Sequence, residues 1–305
     1  MIPLVKLRED LRFGEELLGI IEVLKGATAS QFRSLQRRKK GFEQFKVRVE
    51  EFLSTIDLRR TAHPFLRERA QLPKTIVMMT SDEGFLGSLN ALVINAGLEQ
   101  ASSIDELVVL GERGARYLAE SQSAAYTFLP GIGDDITYTR AVAVRDLLIN
   151  KFLNKKVGSV LVAYPRFVSL TMQRIEVFRI LPCGDIFGRK KRIKKETMGR
   201  PWMLIEPTEA KVVDYLVKVW MMQRLYDIFW ESKLSECAAR IIHLEGSHEE
   251  IRNANKKLTY EYFKRLHEKS DKNIREIFAS RLRWRRETTT SSSEAKDWRQ
   301  DVSLS

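Results

Sequence analysis

The sequence predicts a mixed α/β protein in which two long terminal helices pack on each other as a coiled coil and flank a central α/β domain. Three observations predict this. Apolar residues recur at heptad spacing near the N-terminus, with Leu4, Leu11 and Leu18 on one seam and Leu7, Ile21, Leu35, Phe42 and Val49 on the other. From about Thr208 to about Arg286 the chain has no proline, and as a helix rising roughly 1.5 Å per residue that segment would extend on the order of 115 Å. Between the two ends, short β-branched and apolar runs alternate with helical patterns. A helix of that length must cover its apolar stripe with another long helix, and the N-terminal segment is the candidate the chain offers. A rod with a globular foot is the expected outline.

The elements follow in order. Residues 4–58 read as the first helix, in which Gly14, Gly19 and Gly26 each cost about 1 kcal/mol against alanine. Glycines kept inside a helix point to a close helix crossing or a need to bend. Residues 59–74, with Pro64 and Pro73, form a linker. The central domain spans 75–207 and opens with Thr75-Ile-Val-Met-Met79, a buried strand by its composition. Thr80 to Gly84 make a turn and Leu86 to Glu99 a helix. A second strand, Glu106 to Leu110, ends at Gly111-Glu-Arg-Gly114. A helix over Thr139–Asn154, a strand over Ser159–Ala163 and a further segment over Arg174–Leu181 complete a mostly parallel, Rossmann-like sheet with helical cover. A basic loop runs from Gly184 to Arg200 and contains Arg189-Lys-Lys-Arg-Ile-Lys-Lys195. The last helix covers 208–286, and the Ser/Thr-rich stretch 287–305 is expected to be a disordered tail.

Composition limits the function classes. Of 305 residues, 44% are hydrophobic, enough for a real core, and 30% are charged, as suits much exposed helix. The net charge of +12 bears on partners rather than fold, and nucleic acid, anionic headgroups and acidic protein surfaces all fit it, as does a simply solvated helix face. Cys183 and Cys237 lack metal-ligand spacing and read as reduced cytosolic thiols. No apolar run approaches the roughly 20 residues of a membrane span. Met1-Ile2-Pro3 leads straight into a charged amphipathic helix, so no secretory signal is expected. The reading is a soluble protein, or one held at a membrane only through partners.

Motifs for chemistry are few. Thr80-Ser-Asp-Glu-Gly-Phe-Leu-Gly-Ser-Leu-Asn90 follows a strand and opens a helix, where a helix N-terminus could hold an anion. Its Gly84-x-x-Gly87 is not Gly-x-Gly-x-x-Gly, and no Gly-x-x-x-x-Gly-Lys-Ser/Thr occurs in the chain. Asp82 is placed to cap the following helix. His63, His243, His248 and His267 form no ligand or catalytic pattern, and no catalytic residue, cofactor or metal is expected. The loop 189–195 lacks the interleaved aromatics of a single-strand nucleic-acid site. Two alternatives compete with a mechanical role: a Rossmann-like small-molecule enzyme, disfavoured because the second strand lacks an acidic ribose partner, and a basic coiled-coil scaffold or nucleic-acid binder.

Several stretches, in order, resemble the gamma subunit of rotary F-type ATP synthases. They are the Thr-Ser-Asp-x-Gly-x-x-Gly-x-x-Asn pattern at 80–90, the Gly111 to Gly114 strand end, Tyr164-Pro-Arg-Phe-Val-Ser169, Leu181-Pro182 and Glu206-Pro207 before the long helix. Ser235-Glu-Cys-Ala-Ala-Arg240, Leu258, Tyr262 and Ile274-x-Glu276-Ile277 continue the match, which covers the chain to about Ser280. The resemblance implies a non-catalytic rotor shaft that couples ion translocation through a membrane ring to ATP synthesis or hydrolysis elsewhere in the complex. Its terminal helices would form an antiparallel coiled coil inside a ring of alpha and beta subunits. Its central domain would rest, with an epsilon subunit, on the c-ring at the cytoplasmic face of the cell membrane, with no nucleic-acid partner.

The same resemblance assigns contact residues. Where the family has lysines and Met-Glu-Met facing an acidic lever on beta, this chain reads Gly19-Ile-Ile-Glu22-Val-Leu24-Lys25-Gly26, which exchanges the signs of the charges. His267, Asp271 and Asn273 replace the family's Gln-x-x-x-Thr-x-Glu stretch, and Leu266 stands in place of an arginine. Glu22, Leu24, Lys25, His267, Asp271 and Asn273 are therefore the expected shaft contacts to the alpha/beta ring. Glu206, Arg189, Lys190 and Lys191 are the expected foot contacts to epsilon and the c-ring. Both shaft zones are rewritten, which marks a divergent member with a co-adapted ring.

Overall fold

The computed structural model describes residues 3–39, 63–67, 69–121, 125–133, 135–154, 156–184, 206 and 208–301. Helix α1 spans Leu4–Lys39. A one-turn 3-10 helix at Pro64–Leu66 follows, then β1 (Lys74–Met79), α2 (Leu89–Leu98), β2 (Glu106–Leu110), α3 (Glu112–Ser121), β3 (Tyr126–Leu129), α4 (Tyr138–Leu153), β4 (Ser159–Phe167), β5 (Gln173–Leu181) and α5 (Glu209–Asp301). Residues 40–58 of the expected first helix and the basic run 189–195 lie outside the described residues.

The five strands form one sheet in the order β3-β2-β1-β4-β5. β1 pairs in parallel with β2 and β4, β2 in parallel with β3, and β5 runs antiparallel to β4. β1 has a buried residue at every position after Lys74 because helices cover both faces. Val77, Met79, Val108, Leu110, Val160 and Val162 look toward one core, shared with Val144, Leu148 and Phe152 of α4 and with Val213, Val217, Trp220, Leu225, Phe229 and Trp230 of α5. Ile76, Met78, Leu107 and Val109 point to the other face, against Val93 and Ile94 of α2 and Leu118 of α3. The strand period of two sorts the side chains between the two cores.

Two elements are absent from the sequence reading, α3 and β3. β3 is a four-residue edge strand with no fully buried position, so its apolar content falls below the pattern of a covered strand. The expected disorder after residue 286 is corrected: α5 continues to Asp301. Serine and threonine cost a helix only a few tenths of a kcal/mol each, and no proline or glycine occurs after Gly246 to stop it.

The chain divides into two compact units, Met1–Glu22 with Ser247–Ser305, and Val23–Gly246. The boundary falls inside both long helices rather than at their ends, because the first half of α5 belongs to the core of the sheet. In the first unit α1 and α5 meet at Gly14, where an added Cβ would lie 2.1 Å from the Asn255 amide oxygen, so this glycine marks a close crossing. Gly19, Gly26 and Gly246 show no such reason, since a Cβ at each would meet nothing within 4 Å. In the second unit Lys25 faces Glu245 at 2.8 Å and Gln31 faces Cys237, so α1 and α5 run antiparallel. The heptad seam of Leu7, Ile21 and Leu35 is buried, with Leu7 and Leu35 leaving little or nothing exposed.

Candidate functional site

The Thr80–Asn90 segment leaves the end of β1 and is held by neighbours on every side. Thr80 donates its amide and its hydroxyl to the Leu110 carbonyl, at 2.9 and 2.6 Å. That close approach requires Gly111, which has φ +100 and would place a Cβ 2.3 Å from the Thr80 carbonyl oxygen. Ser81 donates its amide to the Asn90 side-chain oxygen at 3.1 Å and its hydroxyl accepts from the Asn90 amide nitrogen at 2.9 Å. Asp82 does not cap the helix after it. Its Oδ1 accepts from the backbone N–H of Glu112, the first residue of α3, at 3.1 Å and from Gly131 at 3.2 Å. The carboxylate thus caps a helix thirty residues onward, a partner that local spacing could not reveal.

Helix α5 grips the same segment. Arg240, buried at 6% exposure, donates to the Gly84 carbonyl at 3.2 Å and pairs with Glu236 at 2.7 Å and Glu83 at 2.9 Å. Lys233 completes the set at 3.2 Å from Glu236. Ser235 donates to the Pro165 carbonyl on β4 at 3.0 Å. About three turns before Ser235, Arg224 donates to the Tyr164 hydroxyl at 3.2 Å, pairs with Asp227 at 3.3 Å and lies 4.3 Å from the centre of the Phe178 ring. Burial pushes the Tyr164 phenol well above its ordinary pKa, so it stays a neutral acceptor and donor. Guanidinium-carboxylate bonds in such a site are strong because water competes poorly for them.

The location of this clamp bears on the dinucleotide-site alternative. In a sheet ordered β3-β2-β1-β4-β5 the ligand crevice of a dinucleotide fold lies beyond the strand ends between β1 and β4, where the strand order reverses. Here that crevice is filled by α5: Ser235 is bonded to the end of β4, and Arg240 to the loop after β1. The space left there is about 10 Å³. A ligand cavity for a small organic molecule is typically about 300–1,000 Å³.

Beside the clamp lies a wider groove of about 680 Å³, lined by Leu24, Gln31, Phe85, Arg113, Arg240 and Leu244 among others. Phe85 projects into solvent at 58% exposure from a backbone with φ +63, a conformation costly for a residue with a β-carbon. Sequence reasoning missed Phe85, Arg113 and the clamp role of Arg240. The glycines on either side of Phe85 were the available signal, since they mark a tight turn that presents whatever stands between them.

The expected contact residues are distributed as follows. Leu24 lines the groove at 39% exposure, and Lys25 is engaged within the chain by Glu245. Glu22 is exposed on α1 in the first unit. His267, Asp271 and Asn273 are exposed on α5 in that same unit, where the His267 ring lies 2.8 Å from the Phe263 carbonyl. Glu206 is exposed, and Arg189, Lys190 and Lys191 lie outside the described residues. Among the described residues no three His, Cys, Asp or Glu side chains gather to hold a metal, and no helix is long and apolar enough to cross a membrane.

A family model described as ATP synthase matches residues 6–280. The chain belongs to that family. Among its relatives, the ATP synthase gamma chain of Mycoplasmopsis pulmonis is 23% identical over 280 residues, covering 92% of this chain and 99% of the relative. The ATP synthase gamma chain of Symbiobacterium thermophilum is 27% identical over 205 residues, covering 66% of this chain and 69% of the relative. Among solved structures, the rotor of Euglena gracilis mitochondrial ATP synthase superposes with a TM-score of 0.64 at 17% identity, covering 87% of this chain and 98% of that one. The chain is thus a divergent member with the rotor fold, and its clamp joins Glu83 and Gly84 of the Thr-Ser-Asp-x-Gly motif to the Ser-Glu-x-Ala-Ala-Arg motif.

Proposed function

We propose that this chain is the central shaft of an F-type ATP synthase or ATPase, a non-catalytic subunit that carries torque between a membrane ion ring and catalytic subunits. The observation that carries the reading is the plugged crevice: a sheet of nucleotide-binding topology whose ligand position is taken by the chain's own longest helix. Such a joint fixes the domain to the helix, which is what a shaft needs, and leaves no room for a substrate at the crevice between β1 and β4. The family match and the gamma-chain relatives supply the context.

The partners under this reading are alpha and beta subunits around the helices, and an epsilon subunit and c-ring at the foot. The chain itself stays peripheral, at the cytoplasmic face of the cell membrane. Glu22, Leu24, His267, Asp271 and Asn273 are the proposed ring contacts because they are exposed or line the groove, and Phe85 joins them beside Leu24. Lys25 contributes to the ring contact only if Glu245 releases it. Glu206, Arg189, Lys190 and Lys191 remain the proposed foot contacts.

Co-purification of a tagged copy from its native membrane tests the proposal. Recovery of alpha-, beta- and epsilon-like subunits with ATPase activity is the expected result. Recovery of the chain alone, or with nucleic acid, would overturn it.

A further inference from the structure

The residual space at the crevice between β1 and β4 is small but not apolar. About 10 Å³ of it is open to a water centre, and its walls include Thr80, Ser81, Asn90, Ser232 and Glu236 beside Met79 and Pro165. Ser232 is buried at 5% exposure, and its hydroxyl has no hydrogen-bond partner among the described residues. A buried hydroxyl without a partner is costly. One water molecule needs roughly 10–15 Å³ of this kind of space and two to four polar partners, and both conditions are met here.

We infer that a single ordered water occupies this cavity and bridges Ser232 on α5 to the Thr80–Asn90 segment. Ser81 donates its hydroxyl to the Glu83 carbonyl and accepts from the Asn90 amide, which leaves one lone pair to accept from the water. The Glu236 carboxylate can accept from it, and Ser232 can donate to it. The water is the third tie of the clamp, after the Arg240 and Ser235 bonds. A cation fits less well, because Lys233 and Arg240 already bring two positive charges to Glu236.

The test is a crystal structure of the full chain, alone or in its complex, at a resolution that shows ordered water. A density peak about 2.7–3.2 Å from Ser232 Oγ and from at least one other lining polar atom is expected. An empty cavity, a metal ion with its shorter distances, or a Ser232 hydroxyl turned onto the Ile228 carbonyl would each overturn the inference. A second measurement uses Ser232→Ala in the full chain. Loss of the bridge is expected to remove the density and lower the thermal midpoint by about 2 °C. An unchanged or raised midpoint means that the hydroxyl was unsatisfied or bonded locally, and contradicts the bridge.

Discussion

Arg240 is the residue through which the helix holds the sheet domain, and its two carboxylates set the scale of its loss. Arg240→Ala leaves the buried Glu236 with Lys233 in place of two cations and the Gly84 carbonyl without its donor, which costs about 2 kcal/mol in denaturant unfolding of the full chain. Arg240→Lys recovers only part of that, since an ammonium cannot bond Gly84, Glu83 and Glu236 in one plane. Phe85 poses the opposite case. Phe85→Gly relieves a left-handed backbone and is expected to raise stability by about 1 kcal/mol, while lowering ATP-driven coupling if the exposed ring meets the catalytic ring. A stabilised variant with unchanged coupling would show that the phenyl group serves no contact. The thiols of Cys183 and Cys237 are pushed up to about 12 by burial, foremost among the causes. The folded state therefore favours the neutral thiol, and that contribution is complete below the ordinary thiol pKa of about 8.5 and is lost as pH rises toward about 12. Unfolding titrations above pH 9 should show the decline, and neither thiol should react with a thiol reagent at pH 8 until the chain unfolds.

At the scale of elements, the long helices are the parts most exposed to single changes. Leu258→Pro removes a helix hydrogen bond in α5 and costs about 3 kcal/mol, and loss of assembly or coupling is the expected result. The Lys25–Glu245 pair is only partly exposed, so a double-mutant cycle should give about 0.5–1 kcal/mol. Its interest lies in occupancy: Glu245→Ala frees Lys25, and altered turnover with the native ring would reveal a contact that the pair normally withholds. Glu22→Lys tests co-adaptation directly, since weakened turnover is expected if ring and shaft have changed together. Much of this level was legible in the residues. The strands at Thr75–Met79 and Glu106–Leu110 carry the continuous apolar runs that burial on two faces imposes, and the helix at Thr139–Asn154 carries the one-sided stripe of an amphipathic helix. What was not legible is nonlocal. Asp82 reaches Glu112 and Gly131, and Lys25 reaches Glu245, across separations that no spacing rule covers. The helical stretch past residue 286 was misread because Ser and Thr resemble a disordered composition while costing a helix little.

For the whole molecule, the expectation is a chain that has no ATPase activity alone and supports turnover only with alpha and beta subunits. A stoichiometric activity of the purified chain, lost with a mutation in its own groove, would contradict the shaft reading. The order of family motifs made the family readable from the sequence. The purpose of those motifs was not, because a motif names residues and only the folded chain brings Gly84, Pro165 and Arg240 together. The core that joins α5 to the sheet also contains Trp220 and Trp230, each exposed by only 4%. Indole emission shifts to longer wavelength when water reaches the ring. The molecule therefore carries an optical gauge at the joint between domain and helix, one that would register loosening of that joint under load without any label attached.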